Sequence, residues 1–196
     1  VAALENKAEM KQGYALTSKL ADSFSGAFAV ELAKWNEQHD VTVPTTLVAG
    51  VEGAIGNVIR IGDNAGDDGC IKIWATSFDY DYTNLYQIRF RARNAAGTGE
   101  AYLGVSGRNA DDTAWVNKDG QDLLNGSYWC AGSGVVPTAA WTEYQGYFSG
   151  HATPGTIAYS PHPTNPCKLH ANATKFRPII SCNWPAVAGT FELDEV

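Results

Sequence analysis

Asp79-Tyr80-Asp81-Tyr82 alternates carboxylates with phenols in a stretch that reads as a loop, where the rings have no evident core to fill. A Tyr or Trp ring joins a broad apolar face to a polar edge. Such a ring can stack on the apolar C–H face of a sugar while carboxylates, amides and guanidiniums hold the hydroxyls. Asn125-Gly126-Ser127-Tyr128-Trp129 reads as an exposed turn that presents two adjacent rings, and Trp115 lies in a similarly polar stretch. Gln87, Arg89 and Arg91 share the polar side of one alternating run, and would project into a groove if that side is concave. The candidate ligand-binding residues are therefore Asp79, Tyr80, Asp81, Tyr82, Trp115, Tyr128, Trp129, Arg89 and Arg91. The competing reading is that each ring is core or rim packing and each arginine belongs to an ordinary solvated face.

Catalytic chemistry is poorly provided for. Asp79/Asp81 and Asp111/Asp112 are carboxylate pairs of the kind glycoside hydrolysis uses, but acidic pairs are common in turns and nothing marks either as holding a raised pKa. The chain has no Gly-x-Ser-x-Gly motif, and Gly104-Val105-Ser106-Gly107 reads as a strand end rather than a nucleophile elbow. His162, Cys167 and His170, with His151 nearby, are zinc-type ligands at a spacing that follows no standard pattern, and read as loop histidines. Gly50-Val51-Glu52-Gly53 and Gly97-Thr98-Gly99 lack the lysine and following helix of a phosphate loop. The expectation is a binding protein, not an enzyme.

The elements that must position these residues follow from composition and periodicity. The 196 residues carry 44% hydrophobic and 18% charged side chains, with 20 Gly, 8 Pro, 6 Trp and 9 Tyr against one Met. Rings and β-branched residues suit pleated surfaces, while Gly and Pro suit turns. Leu85 to Arg93 alternates strictly, with Tyr86, Ile88, Phe90 and Ala92 on one side and Gln87, Arg89, Arg91 and Arg93 on the other. That is the mark of a strand with one face buried. Leu47 to Ala49, Val58 to Ile61, Cys70 to Trp74, Glu100 to Ser106, Trp141 to Phe148, Lys175 to Cys182 and Thr190 to Leu193 are further strands, separated by turn clusters rich in Asn, Asp and Gly. Ser149 to Lys175 is Pro-rich and weakly periodic, and is expected to be a loop with one short strand near Ile157. Many short strands separated by such turns spell a sandwich or barrel.

Residues 1–20 differ: their Ala, Leu, Glu, Lys and Gln favour helix, with a thin apolar stripe through Val1, Leu4 and Ala8. They read either as a frayed lead or as the end of a coiled-coil stalk, which would make the chain a homo-oligomer such as a trimer. The start at Val1 points to processing or excision from a longer protein. A formal net charge of -7 repels phosphate, so neither nucleic acid nor an anionic membrane is an expected partner. Cys70, Cys130, Cys167 and Cys182 form no Cys-x-x-Cys, and leave open both buried thiols and one or two disulfides.

Four stretches carry a resemblance. They are Gly56-Asn57-Val58-Ile59-Arg60-Ile61, then Tyr86 to Arg93, then Trp141-Thr142-Glu143-Tyr144-Gln145-Gly146-Tyr147-Phe148, and finally Phe176-Arg177-Pro178-Ile179-Ile180 with Gly189 to Val196. In this order they resemble the jelly-roll carbohydrate-binding modules of families 4, 9 and 22, above all the copies embedded in bacteriophage tail and virion proteins. The resemblance covers about residues 24–196. It implies an all-β antiparallel sandwich of jelly-roll type, here following the short N-terminal helix read from composition, with a glycan groove on the concave face or at the loop edge. It further implies a structural Ca2+ held partly by Asp194, with Glu31 as a loose substitute for the family's N-terminal ligand. The implied role is non-catalytic binding of a polysaccharide or cell-surface glycan by a virion protein. The alternatives are a structural decoration or adaptor domain, or the accessory module of a secreted polysaccharide-degrading enzyme.

Overall fold

The alternating runs become strands in the computed structural model, which describes residues 33–39, 45–62, 70–123, 126–184 and 189–196. The helix expected over residues 1–20, together with Glu31 and Asn125, lies outside the described residues. The strands are β1 (Trp35–His39), β2 (Thr45–Val48), β3 (Val58–Ile61), β4 (Cys70–Trp74), β5 (Phe78–Asp79) and β6 (Tyr86–Gly97). They continue with β7 (Glu100–Arg108), β8 (Ser127–Val135), β9 (Thr142–Ala152), β10 (Cys167–His170), β11 (Lys175–Trp184) and β12 (Gly189–Glu195).

They form two sheets. The first runs β1-β4-β11-β7-β8 with β5 paired to β11 beside it, and the second runs β10-β9-β6-β12-β3-β2. The pairings are antiparallel except for β10 beside β9, which is parallel. The two inner faces form one core. Phe90, Phe148, Phe191 and Leu193 of the second sheet meet Leu103, Val105, Tyr128 and Ile180 of the first, all with at most 1% of their surface exposed. The period of two makes this possible: on β6, Ile88, Phe90 and Ala92 turn inward while Gln87, Arg89, Arg91 and Arg93 turn to the outer face.

Two local features keep this register. Along β12 the alternation of Phe191 and Leu193 would carry the next inward position to a carboxylate, Glu195. Instead the register against β6 slips between Leu193 and Glu195, so that Glu195 stands opposite Arg91. A bulge of this kind re-aims a side chain without ending the strand. At the edge where the sheets close on each other, Gly146 of β9 lies so near β8 that a Cβ would stand 2.2 Å from the Cys130 carbonyl oxygen. No other residue fits there without moving backbone.

Two expectations are corrected. Ser127 to Trp129 opens β8 rather than an exposed turn, so period two sends Tyr128 into the core and Trp129 to the outer face of the first sheet. The short strand in the long connection is Cys167–His170, where apolar Cys167 and Leu169 alternate, while Ile157 is exposed and unpaired in the ladder. Of the two states left open for the four cysteines, this structure shows buried thiols.

Candidate functional site

The outer face of the second sheet gathers the polar side chains of β6, β9, β12 and β3. Gln87 stands opposite Tyr147, Arg89 opposite Gln145, and Arg91 opposite Glu143. The Gln87 side-chain nitrogen donates to Gln145 Oε1 at 3.0 Å and to Tyr147 Oη at 2.9 Å. This orients both amides and a phenol across two strands before any ligand arrives. Beside the trio, Arg89 Nη1 lies 3.9 Å from Glu143 Oε1, with both side chains largely in solvent.

The other end of this face is held by buried carboxylates. Glu192 of β12 is fully buried and accepts from Arg60 and Arg93, with Arg93 Nε at 2.7 Å from Oε2. Asp194 is also fully buried. It pairs with the Arg91 guanidinium and accepts from the Ile55 amide at 3.1 Å. A buried carboxylate is tolerated when paired and hydrogen-bonded in this way. Trp141 covers the arginines, its ring centroid 4.6 Å from the Arg93 guanidinium carbon and 5.1 Å from that of Arg91. Its Nε1 donates to Glu52 O at 3.0 Å. Gly53 lets the ring approach: it has φ +76 and a Cβ there would lie 3.1 Å from the Trp141 Cδ1. Burial raises the Glu195 carboxyl, the Asp194 charge adds to this, and Arg91 and Arg89 oppose it.

The nine candidate ligand-binding residues fall in four places. Arg89 and Arg91 lie on the face just described. Trp115 and Trp129 lie on the outer face of the first sheet, packed on Ile71, Ile73 and Ile179, with the Arg108 guanidinium 3.9 Å above Trp115. Asp79, Asp81 and Tyr82 stand at a loop end of the sandwich. Asp79 pairs with Lys175 at 3.1 Å, and Tyr82 stacks on His151 with centroids 4.7 Å apart. Asp81 accepts from Thr83 Oγ1 at 2.6 Å and Thr83 N at 2.9 Å, bonds that lower its pKa.

Tyr80 and Tyr128 are corrections, because both are core residues. Tyr80 packs among Tyr86, Phe148 and Phe176 and donates to Gly150 O at 2.7 Å. Tyr128 donates to Val116 O and accepts from the His170 amide, each at 3.0 Å. Burial pushes both phenols well above their ordinary pKa. Neither ring presents a face to a ligand.

Asp81, Asp111 and Asp112 are held below the ordinary carboxylate range, the opposite of what a general acid needs. Thr83 holds Asp81 low, and Thr113 does the same for Asp111. Burial alone would raise Asp112, but bonds from Ser77, Arg108 and Arg177 outweigh it and hold the carboxyl at about 2. Asp194 does not fit the calcium role either, because its oxygens already meet a guanidinium and backbone amides, and calcium takes about six to eight oxygen ligands. No group of three or more His, Cys, Asp or Glu placed to hold a metal ion occurs among the described residues.

Gln145, Tyr147, Glu143 and Trp141 are functional candidates that residue types alone did not single out. The signal was present: on the run from Trp141 to Phe148, Glu143, Gln145 and Tyr147 share one side by period two. What was missing was the knowledge that this side joins that of Gln87 and Arg89.

No protein-family model and no curated protein matches the chain. Solved structures do. The family 11 carbohydrate-binding module of the cellulosomal cellulase Lic26A-Cel5E of Clostridium thermocellum aligns over 92% of this chain and 93% of its own, at 15% identity and a TM-score of 0.54. The CBM22-1–GH10 modules of the Clostridium thermocellum endo-1,4-beta-D-xylanase 10B, complexed with xylohexaose, align over 90% of this chain and 27% of theirs, at 16% identity and a TM-score of 0.50. The enzymatically active domain of bacteriophage CBA120 tailspike protein 4 aligns over 91% of this chain and 20% of its own, at 11% identity and a TM-score of 0.51. At such identities the likeness establishes the fold: this chain has the β-sandwich of carbohydrate-binding modules.

Proposed function

We propose that this chain is a non-catalytic module that binds a polysaccharide or cell-surface glycan along the outer face of its second sheet. The observation that carries the reading is the hydrogen-bonded trio of Gln87, Gln145 and Tyr147, flanked by Arg89 and Glu143. Planar amides and guanidiniums donate and accept in fixed directions, as hydroxyl pairs on a sugar require, and a phenol adds an apolar face. The trio bonds across strands, so little side-chain freedom is lost when a ligand arrives. Arg60 and Arg93 share Glu192 while Arg91 pairs with Asp194, which keeps this end of the face polar with a net excess of one positive charge.

The likeness to part of the CBM22-1–GH10 modules complexed with xylohexaose supports a glycan as the ligand, and the tailspike likeness supports a place in a phage virion, in a tail or fibre protein. A module attached to a secreted polysaccharide-degrading enzyme is the other setting the same fold favours. The carboxyl that burial raises, Glu195, stands beside Arg91 and Arg89 and serves in this reading as a hydrogen-bonding group rather than an acid catalyst. Affinity electrophoresis against a panel of plant and bacterial polysaccharides tests the proposal. Retarded migration in at least one gel, abolished by Gln87→Ala with Tyr147→Ala, is the expected result. Unretarded migration in every gel, or retardation that survives both substitutions, would overturn it.

A further inference from the structure

Two of the four cysteines meet across a ladder. Cys182 of β11 stands directly opposite Cys70 of β4 in an antiparallel register that also pairs Ile179 with Ile73 and Ser181 with Ile71. Both thiols turn into the main core and neither has exposed surface. The Cys182 Sγ lies 3.8 Å from the Cys70 carbonyl oxygen. Directly opposed residues of an antiparallel pair hold their Cβ atoms about 4.5–5.5 Å apart. A disulfide takes a Cβ separation of about 3.5–4.5 Å, so a small closing of the two strand ends suffices. Cys130 and Cys167 differ in this respect: they lie on β8 and β10, which are not ladder neighbours, and the Cys167 thiol donates to Thr156 O.

The geometry points to Cys70–Cys182 as a cross-strand disulfide site, closed when the chain folds in the presence of a small-molecule disulfide such as oxidised glutathione, with Cys130 and Cys167 remaining thiols. One of the two thiolates attacks a glutathione sulfur, forms a mixed disulfide and releases glutathione. The second thiolate then attacks the protein sulfur of that mixed disulfide and releases the second glutathione. Two protein thiols are oxidised, one glutathione disulfide is reduced to two thiols, and the two protein protons leave with them. The step belongs to folding rather than to the finished protein. In the folded chain both sulfurs are sealed from solvent, and burial and then the neighbouring Cys70 push the Cys182 thiol well up, away from the reactive thiolate.

The bond would join positions 112 apart, a separation at which cross-linking strongly restricts the unfolded chain. Trypsin separates the partners. Residues 61–72 carry Cys70, residues 176–196 carry Cys182, and residues 119–168 carry both Cys130 and Cys167. The test is to refold the reduced chain in a glutathione redox buffer, denature it, block free thiols with N-ethylmaleimide, and map the tryptic peptides by mass. Two blocked thiols, both on 119–168, and a linked pair of 61–72 with 176–196 are expected. A melting temperature lower by roughly 10 °C after refolding in dithiothreitol is expected with them. Cys182→Ser should then melt alike in both buffers and yield no linked pair. Four blocked thiols after oxidative refolding, or a linkage that includes Cys130 or Cys167, would overturn the assignment.

Discussion

The side chain of Gln87 reaches across the β6–β9 ladder to Gln145, its nitrogen 3.0 Å from the partner's oxygen, although 58 positions separate them in sequence. The same nitrogen donates to Tyr147 Oη, so the three side chains hold one another in the plane of the sheet face. The proposed ligand meets a surface whose donors and acceptors are already oriented.

A graded loss follows at Tyr147. Tyr147→Phe keeps the ring and removes the hydroxyl that accepts from Gln87, so affinity should fall about fivefold, the worth of one net hydrogen bond. Tyr147→Ala removes the apolar face as well and should lower affinity by at least another tenfold. Isothermal titration of both variants measures the split, and equal losses would argue against stacking on this ring.

Arg91 and Asp194 make a stability prediction. Arg91→Met leaves a fully buried carboxylate with its backbone donors alone and should cost about 3–5 kcal/mol. Adding Asp194→Asn to Arg91→Met should recover part of that loss. Urea denaturation of wild type, single and double variants checks it, and a single variant as stable as wild type would contradict the role assigned to the pair.

Asp112 carries a pH dependence. Its folded pKa of about 2 lies below the ordinary 3.8, so the unfolded chain binds the proton more readily. Its contribution is complete above about pH 4 and is lost as the pH falls toward 2. After allowance for solvent screening it is worth roughly 1 kcal/mol. The stability gap between wild type and Asp112→Asn should narrow from pH 7 to pH 2.5, and a gap independent of pH would exclude the Arg108 and Arg177 contacts as its source.

Tyr128 tests the corrected placement of β8. Tyr128→Phe leaves the Val116 carbonyl and the buried His170 amide without their shared partner and should cost about 2–4 kcal/mol without altering glycan affinity. A variant that binds more weakly but folds as firmly as wild type would return Tyr128 to the ligand site.

The sandwich was legible in the sequence wherever strands were long and strictly alternating. On β6, Ile88, Phe90 and Ala92 mark the inner face without help from any neighbour. β5, at two residues, is too short to show a period, so Tyr80 beyond it read as a loop residue although Thr174 O binds its amide at 2.8 Å beside the Phe176 packing. Tyr128 misled for a related reason: Gly126 and Ser127 are turn formers, and the pairing of Tyr128 with Val105 across β7–β8 is not written in local composition. The site was half legible. Arg89 and Arg91 could be placed on a polar face, but Gln145 and Tyr147 join them only through the pairing of β6 with β9, which a linear pattern does not contain. The carboxylate expected as a calcium ligand, Asp194, was read without its long-range partner Arg91, 103 positions away.

The central claim is that the outer face of β6 and β9 holds the glycan. Its most direct measurement is isothermal titration with a polysaccharide that retards the intact chain, comparing wild type with the double variant Arg89→Ala, Gln145→Ala. Both side chains lie on that face and neither contributes to the core, so the melting temperature should hold within about 3 °C, as for surface changes worth under roughly 1 kcal/mol. Affinity should fall by at least about a hundredfold, the sum of two to three net polar contacts. A double variant that remains folded and binds as wild type does would place the glycan elsewhere and contradict the account.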